Sequence, residues 1–250
     1  MPIGQPFIQL PEVESTNNYA IGQVQAHLAG HGATWFAHTQ TAGKGQRDKK
    51  WLSAPGENIL MSCVMDPSPL QPVQQFVLSA AVALACHDLL STHAPHDVKI
   101  KWPNDIYYKD RKAGGILIEN IIRGHQWSIA IAGIGININQ SSFPLSLPNP
   151  VSLRQITGNT YDAAHLAKQL CCFLEHRWQQ VTSGSIQDLL TQYGAALYKL
   201  DELVSFSRNG KVFEAAVRGV THRGELMIEG EHSTTLQYGE AEWLHQLNPQ

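Results

Sequence analysis

Residues 98–139 read VKIKWPNDIYYKDRKAGGILIENIIRGHQWSIAIAGIGININ, and this stretch decides the fold. Val98, Ile100 and Trp102 alternate with Lys99 and Lys101 until Pro103 ends the run, the pattern of a half-buried strand. Residues 106–108 read as a second strand, Lys109-Asp110-Arg111 as a tight polar connection, and 112–119 as the returning strand. After Arg123-Gly124-His125-Gln126, a long strand covers 127–139. Connections this short join neighbouring antiparallel strands, so the spacing predicts a meander rather than crossovers.

Working outward, 7–13 reads as a strand, and Ser15-Thr16-Asn17 as a helix start, because these side chains cap free backbone N–H groups. That helix is expected to run past Tyr19 and Leu28 and stop near Gly30 and Gly32. Residues 34–40 are rich in β formers, and 41–50 form a polar loop. In 58–65, Ile59, Met61, Cys63 and Met65 share one face, as in a half-buried strand. Helical spacing follows Pro72, through Val73, Phe76, Val77, Ala80, Ala81 and Leu84, and returns over 163–178 and 186–197. From Leu203 the chain consists of short β runs broken by Asn209-Gly210, Arg223-Gly224 and Gly230-Glu231. The expectation is an α+β unit over 1–199, with a mixed or antiparallel sheet and flanking helices, and a small all-β barrel over 200–250.

Composition narrows the function classes. With 18 basic and 21 acidic residues the net charge is −3, whereas a general nucleic-acid binder carries a basic excess. The most apolar run, 76–90, is short for a membrane span and contains His87 and Asp88. The N-terminus lacks the basic and apolar regions of a secretory signal. Cys63, Cys86, Cys171 and Cys172 form no CxxC pair, so buried thiols and a reducing, cytoplasmic setting are expected. The 12 histidines show no HExxH spacing, and Walker A, GxGxxG and GxSxG motifs are absent. Nucleophilic hydrolase chemistry is therefore unsupported.

Three stretches carry candidate chemistry. In the long strand, Ala130, Ala132, Ile134, Ile136 and Ile138 share one face, and Ile129, Ile131, Gly133, Gly135, Asn137 and Asn139 share the other. The second face loses its side chains midway and then turns polar. Either a ligand lies flat on bare backbone there, or the glycines admit a neighbouring element or a bulge. Lys101-Trp102-Pro103-Asn104-Asp105 is either a plain turn or a rim whose oxygens suit Mg²⁺. Lys112 opens its strand beside the small residues Ala113, Gly114 and Gly115, so something can approach it closely. The loop 42–50, AGKGQRDKK, holds four positive charges and one negative, which makes it either a solvated loop or a neutraliser of phosphate.

In this order, Glu14-Ser15-Thr16-Asn17, Gln40-Thr41-Ala42-Gly43-Lys44-Gly45-Gln46-Arg47 through Trp51, the KWPND run at 101–105, RKAGGILIE at 111–119 and Gly133-Ile134-Gly135-Ile136-Asn137 resemble the biotin protein ligase family. The resemblance runs from about Phe7 into the C-terminal barrel. It implies a class II synthetase-like biotin/lipoate ligase domain followed by an SH3-like barrel. It also implies that biotin and ATP condense to biotinoyl-AMP with release of pyrophosphate, and that the biotinyl group passes to one lysine of a biotin carboxyl carrier protein or domain. By the same resemblance, Ser15, Thr16, Asn17 and Gln40 face the biotin bicycle, Gly115, Gly133 and Gly135 let biotin lie on backbone, and Lys112 holds its carboxylate. Lys44, Gly45 and Gln46 belong to a loop that closes over biotin, with Lys44 also reaching ATP. Trp102, Asn104, Asn137 and Arg218 belong to the ATP side, and Asp105 serves as Mg²⁺ ligand or as base. Lys112, Lys44 and Asp105 are the expected catalytic residues.

Two departures from the family pattern stand out. Many members carry a GRGRxGR-like loop, where this chain has Lys44 and Gln46 at arginine positions and Asp48 at a glycine position. Lysine keeps the charge but loses the bidentate fork, and Gln46 loses the charge outright. The Ser15 motif also begins close to Met1, so a form without an N-terminal DNA-binding domain is expected, with no DNA and no membrane partner and with a homodimer as one option. The alternatives are a lipoate-type ligase of the same superfamily and a non-catalytic biotin-sensing regulator.

Overall fold

The computed structural model describes residues 1–47, 49–124, 126–230 and 233–244. Asp48 in the basic loop, His125 before the long strand and Glu231 of the expected turn pair therefore lie outside the described residues. Seven strands form the main sheet: β1 (Phe7–Val13), β2 (Thr34–Gln40), β3 (Asn58–Met65), β4 (Val98–Lys101), β5 (Asp105–Tyr108), β6 (Arg111–Arg123) and β7 (Gln126–Asn137). Their order is β1-β2-β3-β7-β6-β5-β4, with β1 parallel to β2 and every other pair antiparallel. The expected meander is β4 to β7. Helix α1 (Thr16–Gln25) supplies the crossover that the parallel pair β1–β2 requires.

Two layers of helix bury the sheet. Helices α2 (Gln75–Ser91), α4 (Ala163–Thr182) and α5 (Ile186–Ala195) pack together, α2 touching β4, β5 and β6 and α4 touching β3. Their apolar side chains join Ile59, Met61, Cys63, Ala132, Ile134 and Ile136 in the main core. Helix α1 lies on the opposite face, where Ala20 and Val24 pack with Trp35, Val64 and Ile131. Strand β3 is consequently buried along its whole length and not half-buried as its alternation suggests.

Other expectations also shift. Helix α1 stops at Gln25, short of Leu28, because His27 adopts φ +58° and turns the chain out of the helix. The long strand ends at Asn137, and Asn139 instead donates its backbone N–H to Glu57 and its amide to Tyr161. A five-residue helix, α3 (Leu153–Thr157), is too short to show a period. Ser152 and Gln155 close its first turn as a reciprocal capping box. Cys63, Cys86 and Cys171 are buried as expected, whereas Cys172 is exposed. Residues Pro72–Ser91 are the one helical stretch among the described residues long and apolar enough to cross a membrane, and most of it is buried in the core.

The C-terminal strands β8 (Leu203–Arg208), β9 (Lys211–Val220), β10 (Leu226–Glu229), β11 (Ser233–Leu236) and β12 (Glu242–Trp243) form an antiparallel sheet in the order β11-β10-β9-β8-β12. Asn209 and Gly210 make the β8–β9 turn with φ +52° and +76°, as a two-residue hairpin loop demands. This sheet touches the main one beside β4, where the Trp102 Nε1–H donates to the Gly224 carbonyl at 2.8 Å.

Candidate active site

Register alone builds the floor of the site. Lys101 pairs with Asp105, Asp105 with Gly115, Gly115 with Gly135, and Gly135 with Leu60. Residues paired directly across a sheet share a face. One transverse row therefore presents a lysine, a carboxylate and two bare glycines side by side. The row two residues along reads Leu117, Gly133, Ser62 and Trp35. This is the face that α1 covers further on, so the N-terminus of α1 comes down at the end of the glycine floor.

There Ser15 caps α1, its hydroxyl accepting from Asn18 N. Thr16 donates its backbone N–H and its hydroxyl to Gln40 Oε1, at 2.7 and 3.0 Å. The Asn17 amide donates to Glu119 at 2.7 Å and to the Leu117 carbonyl at 3.3 Å. Ser62 Oγ lies 2.7 Å from Thr16 Oγ1 and 2.5 Å from Asn17 Oδ1, and its single proton can serve only one of them. Ser15, Thr16, Asn17 and Ser62 are all buried. Two hydroxyl protons thus serve three oxygen contacts, and the cluster is richer in acceptors than in donors.

The opposite end is cationic. Lys112 Nζ lies 2.7 Å from Asp105 Oδ2. Lys44 Nζ reaches Glu119 at 3.4 Å, so one carboxylate holds both the basic loop and the Asn17 amide. Lys101 is buried with its ammonium over the rings of Tyr107 and Trp243. Burial lowers its pKa to about 8, with Lys112 and Lys49 acting in the same direction and Asp105 against. The basic loop folds back on itself through Gly45 N to Lys49 O and Trp51 N to Gly43 O. Arg47 stacks over the Tyr238 ring, 4.7 Å from its centroid, which ties the loop to the C-terminal sheet.

Of these groups, Ser15, Thr16, Asn17, Gln40, Lys44, Arg47, Lys101, Asp105 and Lys112 line one cavity of about 500 Å³, and Ser62 and Glu119 support it from behind the lining. Of the residues predicted from sequence, Ser15, Thr16, Asn17, Gln40, Lys44, Gly45, Gln46, Trp102, Asn104, Asp105, Lys112, Gly115, Gly133, Gly135 and Asn137 all line it. Arg218 is the exception. Asp201 and Glu229 hold it at 2.7 and 2.6 Å on the surface of the C-terminal sheet, beside a separate, smaller hollow. Asn104 and Asn137 spend amide donors on backbone, Asn104 on Ile116 O and Asn137 on Val151 O, so they brace the walls. The floor is not bare: Asn17 lies over Gly133, and Trp51 over Gly115 and Gly135.

Sequence reasoning gives no role to Ser62, Glu119, Lys101, Trp51 or Tyr238. Ser62 and Glu119 lie among apolar neighbours on their strands, and only strand order sets them beside Asn17. The separation of Tyr238 from Arg47 along the chain leaves no local signal. Lys101 and Trp51 were within reach, each standing inside a run of residues already singled out.

The fold is shared with solved biotin protein ligases. The Aquifex aeolicus biotin protein ligase in complex with biotin and ATP superimposes with a TM-score of 0.81 at 23% identity, over 96% of this chain and 99% of that one. In sequence, the chain is 32% identical over 232 residues to the bifunctional ligase/repressor BirA of Bacillus spizizenii, spanning 91% of this chain and 70% of that protein. It is 28% identical to the biotin–[acetyl-CoA-carboxylase] ligase of Paracoccus denitrificans, spanning 88% and 93%. The model of the biotin/lipoate A/B protein ligase family matches residues 10–137. The chain belongs to the biotin protein ligase family.

Proposed function

We propose that the chain activates biotin with ATP and transfers it to a lysine of a biotin carboxyl carrier domain, residues 1–199 forming the biotin and ATP domain and 200–250 a small β domain against it. Biotin protein ligase activity is the reading that the relatives support. The observation that carries the site assignment is the single cavity with an acceptor-rich, uncharged end, a glycine floor and a cationic end. Such a cavity suits a ligand with a urea head, an aliphatic chain and a carboxylate. The lone pairs of Thr16 Oγ1 and Asn17 Oδ1, both on residues of the cavity wall, suit urea N–H donors.

In the first step a biotin carboxylate oxygen attacks the α-phosphorus of ATP, and the bond to the β-phosphate oxygen breaks to release pyrophosphate. Anions are brought together, so fixed positive charge lowers the barrier. Lys112 and Lys44 supply it, Lys112 at the carboxylate and Lys44 from the loop. In the second step the acceptor lysine amine attacks the acyl carbon, and AMP leaves. That amine, with an unperturbed pKa of ~10.4, must first lose a proton. Asp105, held at the floor by Lys112, is the candidate acceptor of that proton.

Mg²⁺ also fits this donor set. Among the described residues no group of three His, Cys, Asp or Glu is poised for a metal, and Mg²⁺ commonly takes one or two carboxylates beside waters and substrate phosphates. Asp105 is a carboxylate on the cavity wall and would hold the ion there as the alternative to accepting the lysine proton. Bound in that place, the ion would neutralise charge on the phosphates.

Exchange of labelled pyrophosphate into ATP tests the reading. Exchange that depends on biotin, and that lipoate does not support, is expected. Exchange with lipoate alone would assign the chain to the lipoate-type alternative.

A further inference from the structure

The basic loop meets the C-terminal sheet through Arg47. Lys44 and Lys50 pair as an antiparallel bridge, and Gly45 N donates to Lys49 O, so Arg47 stands at the tip of a narrow turn. Its φ of +53° lies in the left-handed region, which a residue with a Cβ adopts only where its surroundings fix it.

The surface that faces Arg47 is built before the arginine reaches it. The guanidinium lies over the Tyr238 ring, 4.7 Å from its centroid, and against Gly239. Gly239 has φ +88°, and a Cβ there would collide with the guanidinium, so the missing side chain is what admits Arg47. Gln237 N donates to Glu240 Oε2 at 2.9 Å and Glu240 N to Gln237 O at 3.0 Å, which closes the turn in both directions. Arg208 of β8 pairs with Glu240. On the other side Tyr238 meets Trp102 edge-on, with ring centroids 6.1 Å apart, and Gly224 holds Trp102. None of these contacts involves Arg47.

Arg47, Tyr238 and Gly239 all line the main cavity, as do Lys44, Gly45 and Gln46 of the same loop. In the GRGRxGR-like pattern Arg47 falls on the unspecified position, so its guanidinium is not one of the fixed cations of that pattern. We propose that Tyr238 and Gly239 are positioning residues, which hold the basic loop against the C-terminal sheet through Arg47 and so set how long the loop stays over whatever the cavity binds. The identity of that ligand as the adenylate rests on the function proposed above, but the latch does not. A cation–π contact that is partly desolvated shifts an open–closed equilibrium by about fivefold to thirtyfold.

Limited trypsin digestion without biotin or ATP, read by mass spectrometry, tests the latch, because the loop offers Lys44, Arg47, Lys49 and Lys50 as cleavage points. Cleavage of a transiently open form tracks its population. Tyr238→Ala is expected to raise cutting in this loop about tenfold, and Gly239→Ala to do the same by filling the place of the guanidinium. Tyr238→Phe keeps the ring and is expected to cut like the unaltered chain. Unchanged cutting in Tyr238→Ala would overturn the proposal. So would cutting that rises equally after Arg208 and Lys211, since that is a loosened sheet and not a released loop. In the second arm, stopped-flow release of preformed biotinoyl-AMP is expected to be about tenfold faster for Tyr238→Ala, and no faster again when Arg47→Gln is added, because both changes break one contact. Additive effects would overturn the proposal. A chain that gives the expected digestion but binds no adenylate keeps the latch and loses the biotin reading.

Discussion

The two ends of the cavity are built on opposite plans. At the α1 end, Ser15, Thr16, Asn17, Gln40 and Ser62 are neutral, and the last four are knitted to one another by short hydrogen bonds while Ser15 caps the helix. At the far end Lys101 and Lys112 stand beside Asp105, which holds Lys112 on the floor, while Glu119 ties Lys44 of the basic loop to Asn17. The first end is ordered before any ligand arrives, and its contribution is shape and hydrogen-bond complementarity. The second concentrates positive charge, and its contribution appears as negative charge crowds together during reaction. Recognition therefore falls to one end and rate to the other.

The largest effect expected from that division is at Lys112. Lys112→Ala should remove a charge-assisted contact worth about 2–4 kcal/mol in the transition state, lowering adenylate formation by roughly 10²–10³. Pyrophosphate release should fall, biotin affinity should fall by less than that because Lys112 also holds its carboxylate before reaction, and circular dichroism should stay unaltered. A loss shared equally by binding and rate would erase the contrast.

A slightly smaller effect is expected in the basic loop, where Gln46 stands at a family arginine position. Gln46→Arg should add a charge-assisted hydrogen bond of about 1.5–3 kcal/mol and slow release of biotinoyl-AMP roughly tenfold to a hundredfold. Stopped-flow dissociation of the preformed adenylate measures it. Equal off-rates would show that Arg47 or Lys49 already supplies the charge.

At the neutral end, Ser62→Ala strips a hydroxyl from between Thr16 and Asn17 and leaves a buried acceptor unmet. Biotin binding should weaken about tenfold, with the turnover rate at saturation nearly unchanged. Titration calorimetry beside steady-state kinetics separates the two, and a fall in turnover alone would contradict the division.

The smallest effect is on stability. Lys101, at about 8 instead of its ordinary 10.5, binds fewer protons folded than unfolded between those values. Stability therefore rises with pH across that window. Lys101→Met should stabilise the chain by on the order of 1 kcal/mol at pH 7, with the advantage shrinking by pH 10. Urea unfolding at the two pH values checks it, and a constant difference would mean that the charge is not what the burial opposes.

The contrast also explains what could be read from sequence. The cationic end was legible because its residues cluster in runs: Lys44 within the basic loop, Asp105 after KWPN, Lys112 before a pair of glycines. Strand alternation gave the glycine face of β7 correctly, and each central strand was placed to within a few residues. What covers that face was not legible, since Asn17 and Trp51 reach it from other elements. Ser62 and Glu119 were missed for the same reason, because cross-strand neighbours depend on the order β3-β7-β6, which no local pattern states. Arg218, assigned to the ATP side by resemblance alone, is held on the surface by Asp201 and Glu229, partners that no local pattern states.

The central claim is that the two ends together move biotin onto a protein lysine. Intact mass and peptide mapping of a biotin carboxyl carrier domain, incubated with the chain, biotin, ATP and Mg²⁺, measures this directly. The mass of one added biotinyl group is expected, on a single lysine, absent when either biotin or ATP is withheld. An acceptor left unmodified by folded chain that binds biotin and ATP would contradict it.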